Sequence, residues 1–465
     1  YFLLKHRYYY GDYMVDLIYS IENFVCGFPL VIILMGTHIY FSFKLKFPQK
    51  NILQGIKYMI LGDKKNTKEG ISSFKSLMAV LASTLGTGNI IGVAAAITIG
   101  GIGSIFWIFI SGFFAIATKY AETYAVLKYR KEEKQEFISK FLESITVEKD
   151  KKGKYYGGAM YVLGEKLHMP VLAKLFCYFL ILTTLGMGAM IQSNAISSSI
   201  ISNFNINIVV LGIIIVIPCA YALIGNEKRI SNISSVLIPI ATIIYLVSCI
   251  ILMYIYRNNL LPSILKIIKE AFNIKSCVGG IFGSVMVKAM NTGLSKGLFT
   301  NEAGMGTSPI FDVMVNEKDI KKQSIISSTS VFIDTVLLCT LTGIVFVASG
   351  MYTITENPAL IANYVFSLLP FGNYIFIFMI VVFAISTIPC SGFYGSIAIK
   401  YLFNNKKSIK KYRIIFLLCV FIGSISKIEI IWSISSIANA LMVLPNITML
   451  YKLRKNIPHP SELVL

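Results

Sequence analysis

Apolar residues run through this chain in long unbroken stretches, separated by short polar and basic segments. Eleven such runs stand out, at 24–42, 72–102, 103–127, 168–199, 206–224, 229–256, 276–297, 323–350, 372–402, 412–426 and 428–450. Most have the roughly 20 residues that an α-helix needs to cross a hydrocarbon core about 30 Å thick. The pattern predicts an all-α polytopic membrane protein with about eleven transmembrane helices. It excludes an outer-membrane barrel, whose strands alternate apolar and polar residues in segments of about ten. Segments 258–275 and 357–369 carry apolar residues at helical spacing with one polar side, which predicts short helices at the membrane interface or capping the outer face.

Eleven divides into one peripheral helix followed by five and five. A five-helix unit repeated after an odd number of crossings inserts with opposite topology, so inverted repeats are expected. The corresponding division is 1–71 (peripheral helix and linker), 72–256 (first repeat), 257–275 (amphipathic connector), 276–450 (second repeat) and 451–465 (tail). Architectures of this kind build their site from helices interrupted at corresponding positions. The first run of each half carries such a signal: Gly86-Thr87-Gly88 in one, Gly279-Gly280 with Gly283 in the other. Glycine inside a helix costs about 1 kcal/mol relative to alanine, so these clusters imply either close helix packing or unwound backbone.

Composition agrees. Hydrophobic residues make up 55% of the 465 positions and charged residues 14%, against about 25% charged in soluble domains, which excludes a soluble enzyme with one core and a disordered scaffold. The net charge of +20 invites a nucleic-acid reading, but the Lys and Arg cluster between apolar runs and no basic groove with interleaved aromatics is present. Counted by alternate loops, about 32 fall on one side and about 7 on the other. That bias predicts an external amino terminus, a cytoplasmic carboxyl terminus and a cytoplasmic 129–166 loop. Eight scattered cysteines without a CxxC read as small hydrophobes, and four histidines (6, 38, 168, 459) without ligand spacing argue against a zinc site. Nothing before Phe24 resembles a signal peptide, and because residue 1 is Tyr the natural start is expected to lie upstream. The abundance of Ile, Lys and Asn suggests an AT-rich genome and a bacterial inner membrane, and a monomer is expected.

Several polar groups sit where lipid would exclude them. Thr84-Leu85-Gly86-Thr87-Gly88-Asn89 combines hydroxyls, glycines and an amide at mid-membrane depth. Unwound there, freed carbonyls and Thr hydroxyls are hard oxygen ligands suited to Na⁺, and amides at the following half-helix attract a carboxylate. Gln192, Ser193 and Asn194 either line a cavity or make interhelical hydrogen bonds of about 0.6 kcal/mol each. Ser386-Thr387, ahead of a kinking Pro389, can complete a cation site, although such hydroxyls often bond their own helix. Asp334 lies among apolar residues, where cation coordination, a proton relay or pairing with a lysine such as Lys288 are all open. Lys119 and Glu122, three apart, read as a surface pair or a gate contact. With no histidine mid-span and no nucleophile–base spacing, an intramembrane enzyme is not expected.

These residues together resemble the alanine or glycine:cation symporter family, of the amino acid–polyamine–organocation superfamily with the LeuT-type fold. The resemblance rests on GTGNIIGVAAAITIGGIGSIFWIFISG (86–112), ATKYAETYAVLKYR (117–130), GGAMYVLGEKL (157–167), IQSN (191–194), GLSKGLFTNEAGMGTSPI (293–310) and FIDTVLLCT (332–340). It covers nearly the whole chain and implies Na⁺-coupled uptake of a small neutral amino acid by alternating access. It further implies that Thr87, Gly88, Asn89, Gln192 and the glycines at 279, 280 and 283 are substrate-site positions. By the same resemblance Thr84, Leu85, Ser386 and Thr387 form a sodium site, and Asn301 and Glu302 belong to gate or structure near the cytoplasmic mouth. Where the family usually reads FAFSTILGWSYYGE, this chain has Cys390 for the Gly, Ser391 for the Trp and Phe393 for the first Tyr. Losing an indole at Ser391 opens volume in the expected pocket, so a larger or more polar substrate can fit. Rival readings are a proton-coupled permease using Asp334 and a non-transporting amino acid sensor of the same fold.

Overall fold

The structure is a computed structural model that describes residues 15–61, 71–133, 154–225, 227–273, 285–315, 317 and 319–460. Apart from one short hairpin, in which Lys131–Glu133 pairs antiparallel with Lys154–Tyr156, and one isolated bridge between Ile71 and Val315, its regular structure is helical. The helices are α1 (Phe28–Lys44), α2 (Ile52–Leu61), α3 (Ser73–Thr84), α4 (Ile91–Gly100) and α5 (Ser104–Lys128). After the hairpin come α6 (Pro170–Ile201), α7 (Ile208–Ile224), α8 (Glu227–Ile255), α9 (Arg257–Ala271) and α10 (Val285–Asn301). The last five are α11 (Ile320–Ser349), α12 (Pro358–Phe366), α13 (Gly372–Phe403), α14 (Lys406–Ile425) and α15 (Glu429–Leu453).

Among the described residues the expected runs fall on helix, the run at 276–297 from Val285 onward and the run at 72–102 with a break. Among the described residues seven stretches are long and apolar enough to cross a membrane: Val15–Lys44, Ser104–Lys128, Pro170–Ile201, Glu227–Ile255, Ile320–Ser349, Gly372–Phe403 and Ile430–Asn456. The run at 72–102 is split into α3 and α4, and 206–224 is the 17-residue α7. Helix starts follow local chemistry. Ser72, Asn207, Asp319, Asn357 and Asn405 each accept a hydrogen bond from the first turn of the helix behind them, satisfying amides that have no intrahelical partner.

Isoleucines on α7 and α8 such as Ile214, Ile217, Ile243 and Ile250 are about half exposed or more. In water such a surface would be a liability; against lipid tails it is the solvated face. Polar side chains turn inward instead. α3 packs between α8 and α13, and α10 packs against α5 and α4. Two of the long helices, α6 and α11, widen into π-type turns, at Thr184–Ile191 and Phe332–Cys339. Such turns release carbonyls from the regular ladder and recur at functional sites. One precedes Gln192 and the other contains Asp334.

Candidate functional site

α3 stops at Thr84. Leu85 and Gly86 are extended, Thr87–Asn89 makes a single 3₁₀ turn, and α4 begins at Ile91. The interruption expected at Gly86-Thr87-Gly88 is therefore present, and Asn89 holds it: its Oδ1 accepts the Gly86 amide at 3.0 Å. The Asn89 Nδ2 donates the other way, to Asp334 Oδ1 at 2.5 Å. Asn89 is consequently turned away from the cavity described below, behind the break, where its side chain satisfies backbone and carboxylate at once.

A second interruption follows α10. Gly279, Gly280 and Gly283 lie outside the described residues; among those described, the break comes at 302–308, with positive φ at Glu302 (53°), Gly304 (84°) and Gly306 (78°). Three left-handed residues within five positions cannot continue a helix, and only two of them are the glycines that adopt this conformation freely. The fully buried pair Lys119 and Glu122 on α5 clasps this break from both sides. The Lys119 ammonium donates to the Asn301 carbonyl at 3.3 Å and to the Ser308 hydroxyl. Glu122 Oε2 accepts the amides of Gly304 (3.0 Å) and Gly306 (3.3 Å) and the side-chain amide of Asn446 on α15 (3.2 Å). The signs are those a helix dipole asks for, with a cation at the carboxyl end of α10 and an anion at the amides beyond it. Lys119 and Glu122 face each other at 3.7 Å and share one helix face, so the pair is neither at the surface nor exposed to lipid.

Between the two breaks lies a cavity of about 760 Å³. Thr84, Thr87, Gly88, Gln192, Thr387 and Ser391 all line it. So does Glu302, which the expected position near a cytoplasmic mouth did not anticipate; the break at 302–308 carries it inward. The cavity runs from Tyr394 and Thr307 past α4 to Ser202 at the end of α6 and Asn357–Asn363 around α12. The buried Lys119, Glu122 and Asn446 are not part of the lining. Ser391 packs on Gly188 of α6, where any Cβ would overlap it, and both residues line the cavity.

Oxygens crowd where α13 meets the end of α3. The Thr387 hydroxyl donates toward the carbonyls of Ala82 (2.8 Å), Phe383 (2.8 Å) and Leu85 (3.3 Å). One proton serves one acceptor at a time, so the remaining lone pairs face each other, and a small hard cation relieves that repulsion. Thr84 lines the cavity beside this cluster. Ser386 is placed differently: its hydroxyl donates to Val382 and Phe383 of its own helix, both at 2.8 Å, so it does not reach α3.

Among the described residues the fully buried charged side chains include one ammonium, Lys119, and three carboxylates, Glu122, Asp312 and Asp334. Glu122 has Lys119. Asp312 receives Ser76, Thr123, Gln323 and Ser327 from three helices, at 2.6 to 3.4 Å, a donor for each lone-pair site of a carboxylate. Asp334 has Asn89 and, at 2.8 Å, the Thr335 hydroxyl, and no ion pair with Lys288 is formed. Neither Asp312 nor Tyr394, which shares a 3.0 Å hydrogen bond with Ser83, was singled out from sequence. An isolated acid in the apolar string SPIFDVM was the available signal for the first.

The arrangement has relatives. The model of the sodium:alanine symporter family matches residues 12–459. An uncharacterized transporter of Haemophilus influenzae is 34% identical over 445 residues, covering 94% of this chain and 93% of its own length. The sodium/alanine symporter AgcS of Methanococcus maripaludis is 32% identical over 444 residues, covering 93% of each. Among solved structures, a substrate-bound outward-open Na⁺-coupled sialic acid symporter superposes with a TM-score of 0.52 at 13% identity, over 90% of this chain and 83% of that one. The fold is thus the LeuT type, in which two interrupted helices flank a central cavity. Match, identity and coverage lead to one conclusion: this chain is a multi-pass membrane transporter that belongs to the sodium:alanine symporter family.

Proposed function

We propose that this protein imports a small neutral amino acid of the alanine or glycine class, coupled to Na⁺, across a bacterial inner membrane. In this reading the amino terminus is outside and the carboxyl terminus cytoplasmic, following the Lys and Arg bias. The observation that carries it is the oxygen cluster of Thr387 with the Ala82, Leu85 and Phe383 carbonyls, set against a cavity lined by Thr87, Gly88 and Gln192. Na⁺ bound there joins α13 to the first interrupted helix and stabilises the state open to Ser202 and Asn357. That raises affinity for a substrate carboxylate at the start of α4, and by reciprocity substrate tightens Na⁺. At 100 mV each entering Na⁺ contributes about 2.3 kcal/mol, roughly fifty-fold accumulation before any sodium gradient is added.

A specific contact supports a second coupling mode. Asn89 connects Asp334 directly to the Gly86 amide, so a proton on Asp334 would alter the first break. Reconstituted in liposomes with an inward Na⁺ gradient, the protein is expected to accumulate alanine or glycine, and to fail when K⁺ replaces Na⁺. Uptake that persists without Na⁺ and collapses with a protonophore would move coupling to Asp334. Folded protein that accumulates no amino acid would reject symport altogether.

Residue 391 sets the size limit. Ser391→Trp is expected to fill part of the cavity and raise the preference for alanine over glutamine by roughly tenfold or more. An unchanged ratio in competition uptake would remove Ser391 from the substrate wall.

A further inference from the structure

Glu302 lines the cavity, and the buried Lys119 ammonium acts on its charge from beyond ion-pair distance. Its Oε2 accepts the Thr307 hydroxyl at 2.7 Å, and among the described residues no other hydrogen bond or ion pair engages the carboxylate. The residue also holds φ at 53°, a left-handed conformation that is strained for a non-glycine residue. Strain of this kind persists where the surroundings impose it, and here they do: the Lys119 and Glu122 clasp spans the residues on either side, Asn301 and Gly304. The clasp therefore aims Glu302 inward. Thr300, two residues earlier, comes within 3.8 Å of a Cβ placed on Gly88, which sets the end of α10 beside the first break.

The cavity lining holds an ammonium, Lys296, which sits over the Trp432 ring at 5.9 Å, together with buried acceptors that lack donors. Gln192 Oε1, Asn291 Oδ1 and Asn363 Oδ1 are buried acceptors without partners, and all three residues line it. Buried acceptors left unmatched are costly, so these three oxygens favour a ligand group rich in N–H donors. Glu22, in the segment ahead of α1, is the other carboxylate in the lining and acts electrostatically on Lys296.

We propose that Glu302 binds the α-ammonium group of the transported amino acid, with Thr307 as the positioning residue that fixes its carboxylate. The assignment rests on the amino acid transport reading and deepens it. The substrate class it implies is one with a free, protonated amine: α-amino acids are accepted, and acids that lack the amine are rejected.

Equilibrium binding of labelled L-alanine to the purified full-length protein at saturating Na⁺ tests this. Glu302→Gln keeps the acceptor for Thr307 and loses the charge. It is expected to weaken alanine roughly ten- to hundredfold, the range of a charge-assisted hydrogen bond. The half-saturating Na⁺ measured without substrate should stay put, as should the melting temperature. Wild-type protein should ignore propionate, whereas the variant should bind alanine scarcely better than propionate; a mere structural staple would lower melting without erasing that discrimination. Glu302→Asp should restore part of the affinity. Should Glu302→Gln not fold, Thr307→Val offers a second route, with alanine weakened severalfold expected and unchanged affinity overturning the assignment. Wild-type-like alanine binding by folded Glu302→Gln overturns it too, as does a shift confined to Na⁺. Wild-type protein that binds and transports no amino acid would overturn this assignment together with the transport reading, an outcome distinct from failure of the variant alone.

Discussion

Lys119→Met is expected to destabilise the protein by about 3–5 kcal/mol, the largest single effect in the molecule, because it removes one partner of a buried ion pair. The substitution leaves Glu122 charged with no cation near, and strips the Asn301 carbonyl and Ser308 hydroxyl of their shared donor. It also unfastens the carboxyl end of α10, so substrate binding should fall along with melting temperature. The double variant Lys119→Met with Glu122→Gln removes both charges. Its glutamine oxygen can still accept from Gly304, Gly306 and Asn446. It should therefore melt above the single variant, and the difference around the mutant cycle measures the pairing. Thermal unfolding in detergent decides: a Lys119→Met protein that melts with wild type would dismiss the clasp.

The second large effect is on the ion. Thr387→Val keeps the shape of the side chain and removes the hydroxyl that stands among the carbonyls of Ala82, Leu85 and Phe383. One oxygen ligand fewer should raise the half-saturating Na⁺ for alanine uptake roughly tenfold, about 1.4 kcal/mol. Thr387→Ser, which restores the oxygen, should stay within a few-fold of wild type. Ser386→Ala is the internal control: its hydroxyl serves its own helix, so a small change is expected. If Thr387→Val leaves the sodium curve in place, or Ser386→Ala shifts it more, the ion sits elsewhere.

The first break was readable because its signal is local. Gly86-Thr87-Gly88 in an apolar run can only be close packing or unwound backbone, and the extended Leu85 and Gly86 decide for the latter. The second break was less so. Of the glycine clusters at 279–283 and 304–306, only the second lies among the described residues. Gly304 and Gly306 are left-handed there, and Glu122 and Asn446, distant in the chain, take their amides and neighbouring space. Ser386 and Thr387 illustrate the same limit. The two hydroxyls are adjacent and chemically alike, yet they point about 100° apart on one helix, and only Thr387 meets α3.

Sequence by itself determined that this is a membrane bundle, where its helices run, that the first helix of the core is interrupted, and which family it joins. Those properties follow from transfer free energies and backbone preferences that each segment carries alone. Tertiary structure decided the rest. It turned Asn89 from the cavity toward Asp334, buried Lys119 and Glu122 as a clasp, and brought Glu302 inward. The physical reason is that a polar group inside a membrane protein must find its partners, and those partners come from helices up to a few hundred residues away in the chain.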